Sequence, residues 1–445
     1  MSPLDTMVRE PVAGAVAHPV PTDSYRLARA FLVLMSLVTI DVFNFLDRGR
    51  TAISQGANER PGPLRYFVLL VPIVVIIYAR MREPSFKVRR PTASDSVLFV
   101  LFVLGLGGSL VGVAFFGTQD TVRPVFLPMM LGLLYLFTLR EPTEAEAGRI
   151  LRWLGWIGLV YVVMNTLVNT TLLPGLLAYK QYRNASFAYV ALGIACAFVL
   201  QRRSRLIALL VMTAVIFWTY PSATSLLVIL TVFMTLFLTG RRASSLRTIV
   251  LAAAVALILA VALANFQAGV AITSDYFNAV GKVDANAGRL DLWNSGVQVW
   301  LESPWVGRVF TGDAVAVRSR DQKALPYHND FVLFLAEGGL LGTGLLVAWM
   351  LLAEITLIRR YRGFIRAGQD ERANLIRAIL VCLNAFFVAM AFNPVLPGAS
   401  RSATIFGLYA IAMSLGEPAP EPKNEVAAAP RMAAHPVSAL GAPSS

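Results

Sequence analysis

Phe331-Val332-Leu333-Phe334-Leu335-Ala336-Glu337-Gly338-Gly339-Leu340-Leu341-Gly342-Thr343-Gly344-Leu345-Leu346-Val347-Ala348-Trp349-Met350-Leu351-Leu352-Ala353-Glu354-Ile355, followed by Arg359-Arg360-Tyr361-Arg362, decides how this chain folds. The run is apolar apart from two carboxylates and a few small polar groups, and a bilayer-spanning helix needs about 20 such residues. It reads as a membrane helix over 331–355, and the arginines after it mark a cytoplasmic end under the positive-inside rule.

The same pattern recurs in both directions. Apolar runs predict helices at about 27–46, 64–79, 95–115, 122–139, 149–173, 185–200, 205–219, 222–238, 248–267, 331–355, 374–393 and 401–416, about twelve spans in all. The 445 residues are 56% hydrophobic and 15% charged, with a mean hydropathy of +0.63, which makes a bilayer the natural solvent. A net charge of +13 would suggest nucleic acid in a soluble protein. Here the basic residues cluster in alternate loops: Arg80 to Arg90, Arg202 to Arg205, Arg241 to Arg247, and Arg359 to Arg377. One orientation, with both termini cytoplasmic, puts every cluster inside, so no nucleic-acid partner is expected. Cys196 and Cys382 lie in apolar runs and read as small hydrophobes rather than a disulfide pair.

The predicted organisation is a cytoplasmic tail over 1–26, a membrane domain over 27–416 and a second tail over 417–445, both tails lacking any pattern that would order them. Within the membrane domain the connection 267–329 stands out as a large extracytoplasmic loop with nearly balanced charges. Trp293, Val297, Trp300 and Leu301 have helical spacing there, predicting an amphipathic helix against the bundle. The fold class expected is therefore an all-α polytopic membrane protein whose one large periplasmic loop carries short helices.

Candidate chemistry concentrates on that side. Of three histidines, His18 and His435 fall in the tails, leaving His328 in Pro326-Tyr327-His328-Asn329-Asp330, where the loop returns to the membrane. Imidazole titrates near neutral pH and suits a general base or a phosphate ligand; the plainer role is an interfacial helix cap. Arg289, in Gly288-Arg289-Leu290-Asp291-Leu292-Trp293, and Arg183, in Tyr179-Lys180-Gln181-Tyr182-Arg183-Asn184, lie on the face that positive charge avoids. A guanidinium binds phosphate oxygens through paired donors, although a loop salt bridge or a snorkelling side chain would also account for either residue. Arg123, Arg308, Arg318, Arg320 and Arg401 share that side and are secondary candidates for glycan or lipid contact, with Tyr327 and Asn329 beside the histidine. Asp41, Asn165 and Asn169 are polar groups inside apolar runs, read as packing. The predicted outer segments hold neither paired aspartates for a metal nor a Cys/His cluster for zinc.

His328-Asn329 followed by Leu335-Ala336-Glu337-Gly338-Gly339-Leu340-Leu341-Gly342, with ten residues between His328 and Gly339, resembles the signature of the O-antigen ligase and polysaccharide polymerase family. Gly288-Arg289…Trp293…Ser303-Pro304…Gly307 resembles that family's arginine segment, and Arg183 matches more loosely. The resemblance implies a GT-C-like membrane glycosyltransferase in the inner membrane. Such an enzyme takes a glycan from an undecaprenyl diphosphate carrier and joins it to an acceptor on the periplasmic face, with inversion and with no metal, nucleotide sugar or other cofactor. By position it makes His328 the acceptor-activating residue and gives Arg183 and Arg289 the leaving diphosphate. Where many members carry Ser-Arg, this chain reads Tyr220-Pro221-Ser222-Ala223-Thr224-Ser225, which by resemblance favours an exopolysaccharide polymerase using a lipid-linked acceptor over a ligase using lipid A core. Partners implied are the lipid-linked donor, that acceptor, membrane lipids and a chain-length regulator. A flippase would also use about twelve helices, but it would be expected to show charges near the midplane and repeated halves.

Overall fold

The computed structural model describes residues 91–116, 144–145, 147–153, 231, 234–235, 239, 285–312, 316–317, 324–325, 327, 329–391, 395–396 and 399–418. The predicted helices 27–46, 64–79, 122–139, 185–200, 205–219 and 248–267 lie outside these residues, as do most of 149–173 and 222–238, the first predicted tail and the second beyond Pro418.

The described architecture is helical. α1 spans Ala93–Phe116, α2 Ala285–Glu302, α3 Asp330–Arg366, α4 Asp370–Met390 and α5 Ala399–Ser414. One short antiparallel ladder interrupts the pattern, β1 (Ala316–Val317) with β2 (Ala324–Leu325), in register Ala316 to Leu325 and Val317 to Ala324. Three of these helices, α1, α3 and α4, are long and apolar enough to cross a membrane. α5 has 16 residues, about 24 Å of rise, and is short for a span. Nearly all of its described residues are buried inside the bundle.

One boundary and one packing face differ from the sequence reading for physical reasons. α3 does not stop where the apolar run stops; it continues to Arg366, because arginine is a good helix former and hydropathy marks only the end of the apolar stretch. Only Ala367, Gly368 and Gln369 then separate α3 from α4. In α2 the buried stripe is Leu292 and Gly296 with Val299 packed behind them, while Leu301 is exposed. The packing face is thus rotated from the predicted aromatic one, and its centre is a glycine, which carries no hydrophobic signal.

The core sits where α3, α4 and α5 meet. Trp349 is fully buried there against Phe387, Phe406 and Tyr409 at ring-centre distances of 5.9, 5.0 and 5.5 Å. Polar groups tie the ends together. Tyr409 donates to Ser94 Oγ and Asp95 Oδ1, both at 2.8 Å, while Asp95 Oδ2 accepts from Thr92 N at 2.8 Å at the start of α1. Arg360 is buried and donates to the carbonyls of Ala412 and Met413, at 3.2 and 2.7 Å, capping the end of α5. Arg372 pairs with Glu144 at 2.6 Å and Arg377 donates to Thr239 Oγ1 at 2.8 Å. The arginines from 359 to 377 thus gather at one end of the bundle and also hold it together. About two turns inward, Asn384 donates to Glu354 Oε1 and Thr235 Oγ1, both at 3.1 Å, a polar contact inside two spanning helices that the apolar runs conceal.

At the opposite end, Asp330 is fully buried, and its Oδ2 accepts from Val395 N at 3.0 Å and Leu396 N at 2.8 Å. This clasp joins the start of α3 to the α4–α5 connection through charge-assisted bonds. Asp330→Ala strands both amides and is expected to cost about 2–4 kcal/mol. The thermal midpoint of detergent-purified protein measures it, and an unchanged midpoint refutes the clasp.

Candidate active site

The site region is built on a break in α3. Gly339 has φ 60° and ψ −158°, a conformation essentially restricted to glycine, so the helix is interrupted within the apolar run. Breaking a helix frees carbonyls before the break and amides after it. Residues 303–312, which follow α2, satisfy them. Arg308 N donates to Ala336 O at 3.1 Å and Phe310 N to Glu337 O at 2.8 Å, while Leu340 N and Leu341 N donate to Pro304 O and Trp305 O at 2.8 and 3.0 Å. Glu337, itself buried, accepts from Gly312 N through Oε2 at 3.0 Å. The turn closes on α2 through Trp300 Nε1, which donates to Pro304 O at 2.9 Å.

Gly307, at φ +57°, lies against the break, and a methyl group there would meet Ala336 O and Gly339 N at 2.6 Å. Phe310 inserts against Gly338 and Gly342 and stacks edge-on against Phe334 at 5.5 Å. The spacing of Ser303-Pro304…Gly307 and Glu337-Gly338-Gly339…Gly342 therefore has a structural cause: the two segments interlock.

α2 reaches α3 a second time. Tyr327, 2% exposed, packs on Gly296, where a methyl group would meet its ring at 2.9 Å. Asn329 caps α3, its Oδ1 accepting from Phe331 N at 2.9 Å and Val332 N at 3.2 Å. The residues on either side of position 328 are therefore held, one by packing and one by the cap. His328 itself lies outside the described residues, as do Arg183, Arg123, Arg318 and Arg320. Arg289 is described as part of the backbone of α2, three residues before Leu292. Arg401 falls in the first turn of α5. Arg308 forms an ion pair with Glu302.

The structure singles out two carboxylates to which sequence reasoning attached no role, and gives a polar question to a tryptophan that it had placed only on a helix face and in a motif. Asp330 and Glu337 were visible only as carboxylates next to the motif, and their partners are backbone amides far along the chain. Trp293, four residues after Arg289, buries its indole N–H with no hydrogen-bond partner among the described residues. Such a donor calls for an acceptor from elsewhere.

A protein-family model described as O-antigen ligase matches residues 188–347. Over that span the chain is similar to the O-antigen ligase family. The matched segment contains the whole interlock, from Ser303 to Gly342, together with Arg289, Arg308, Arg318, Arg320, Tyr327, His328 and Asn329. Arg123, Arg183 and Arg401 fall outside it. The match points to a membrane glycosyltransferase of ligase or polymerase type. No curated protein matches the chain.

Proposed function

We propose that this protein polymerises undecaprenyl-diphosphate-linked oligosaccharide units into a surface or secreted polysaccharide on the periplasmic face of the inner membrane. The observation that carries this reading is the family match over residues 188–347, the segment of the sequence that holds both Arg289 and His328. An acceptor hydroxyl attacks the anomeric carbon of the donor glycan. The bond from that carbon to the diphosphate oxygen breaks, the hydroxyl proton passes to His328, and undecaprenyl diphosphate departs with its charge increased. Arg289 and Arg183 stabilise that charge, which fixed guanidinium groups can do without a metal, and displacement from the opposite face inverts the anomeric centre. Tyr327 and Asn329 hold the histidine's segment in place, and the arginines at 123, 308, 318, 320 and 401 are candidates for contact with glycan or lipid.

Arg289→Lys keeps the charge but loses the two-pronged contact, so a tenfold or greater fall in transfer rate is expected with protein level unchanged. A rate equal to the parent removes Arg289 from the diphosphate site. The family description itself favours a second reading, transfer of finished glycan to lipid A core. Lipid-linked intermediates in a deletion strain separate the two. Accumulated single repeats are expected for the polymerase, full-length glycan on the carrier would establish the ligase, and a normal profile would overturn both.

A further inference from the structure

The turn 303–312 belongs to the loop 267–329 that the sequence places in water, yet its construction suits a different solvent. Every backbone amide from Gly307 to Gly312 is bonded within the protein: Gly307 N to Ser303 O at 2.8 Å, Val309 N to Val306 O at 3.0 Å, Thr311 N to Arg308 O at 3.1 Å, and Arg308, Phe310 and Gly312 to the α3 groups named above. Water would satisfy such amides without help. Lipid cannot, and irregular backbone survives at membrane depth only when protein answers it.

Position along the helices agrees. The Val309 carbonyl lies directly against Gly108, inside the membrane-spanning stretch Ala93–Gly112 of α1. α1 runs on for eight residues beyond that contact, about 12 Å, and Leu110, Val111 and Phe115 are exposed apolar side chains along it. On α3 the docking point, Gly339, is nine residues past Asp330, about 14 Å. The turn therefore sits well short of the ends of both helices it touches.

Its outward surface is apolar. Trp305 is 74% exposed, and Leu301, Val306 and Val309 are exposed beside it. Leu340 and Leu341, the exposed residues of α3 at the same level, are joined to this surface through Pro304 O and Trp305 O. The two charges nearby, Arg308 and Glu302, neutralise each other. Val309 and Phe310 adopt positive φ, 54° and 58°, which is costly for side-chain-bearing residues, and the result is Phe310 in the helix break with Val309 facing out.

We propose that residues 301–309 are seated in the bilayer, with Leu301, Trp305, Val306 and Val309 in contact with lipid acyl chains at the edge of the hydrocarbon region. The turn continues the lipid-facing surface of α3 and anchors the loop that follows α2. The occupant is bulk membrane lipid, so the inference does not depend on which glycan is transferred.

Nitroxide labels at 301, 305, 306 and 309 of the full chain, carrying Cys196→Ser and Cys382→Ala, test this in phosphatidylethanolamine/phosphatidylglycerol nanodiscs. A label at the exposed position Gln298 supplies the aqueous reference. Oxygen is expected to relax the labels at 301, 305, 306 and 309 more than a nickel chelate does, with the order reversed at 298. Greater chelate access at 305 and 309, or labels immobilised and reached by neither agent, overturns the proposal. A second measurement keeps both cysteines: dibrominated lipid is expected to quench wild-type tryptophan fluorescence by a larger fraction than that of Trp305→Phe, and equal quenching counts against the proposal.

Discussion

Gly339→Ala is expected to leave little folded protein in the membrane. Its backbone, at φ 60° and ψ −158°, is one that an alanine adopts only at a cost of about 1–3 kcal/mol. The added methyl group would also meet the Trp305 carbonyl carbon and Val306 N at 2.5 Å and Gly307 N at 2.6 Å, all backbone atoms. These atoms cannot move aside cheaply, because the same turn is bonded to α3 on both sides of the break. Losing that docking strands amides and carbonyls at about 1–3 kcal/mol each. The total approaches the whole stability of an ordinary domain.

Gly344→Ala is the matched control. It lies five residues further along α3, where an added methyl group meets nothing within 4 Å, and alanine favours helix, so neutral or slightly raised stability is expected. Membrane yield and the thermal midpoint in detergent measure both variants. Equal behaviour of the two would mean that the helix break is not what holds the loop.

The contrast between these two glycines also shows what a sequence can and cannot reveal here. Hydropathy averages over a window, so the apolar run through 331–355 identified the span and passed over the break inside it. Gly339 and Gly344 look alike to any such measure; only their neighbours in space separate them. α1 and α4 were legible to within a few residues because lipid demands long apolar runs and charges end them. The extension of α3 through Arg366 was hidden by the same rule, since a helix can leave the membrane without ending. At the site, spacing placed Ser303, Pro304, Gly307 and Gly339 in one pattern but gave no reason for it. The reason is a set of main-chain hydrogen bonds, and residue types do not encode these directly. Asp330 shows the same limit: an aspartate beside a histidine invites a catalytic reading, whereas its Oδ2 is engaged by Val395 and Leu396.

His328→Ala is expected to cut glycan transfer by about a hundredfold to ten-thousandfold, the usual worth of a positioned general base, while insertion and thermal midpoint stay close to the parent. The structural half of that expectation rests on the neighbours. Tyr327 keeps its place against Gly296, Asn329 keeps the cap of α3 and Asp330 keeps its clasp, since none of these contacts involves position 328. Asn329→Ala is the informative contrast, because losing the cap costs about 1 kcal/mol of stability and should lower the midpoint. A chemical defect and a folding defect are thus assigned to adjacent residues and read by different instruments. Normal polymer from His328→Ala would end the catalytic assignment. If instead the midpoint falls along with transfer, the imidazole belongs to the fold at the start of α3 rather than to the chemistry.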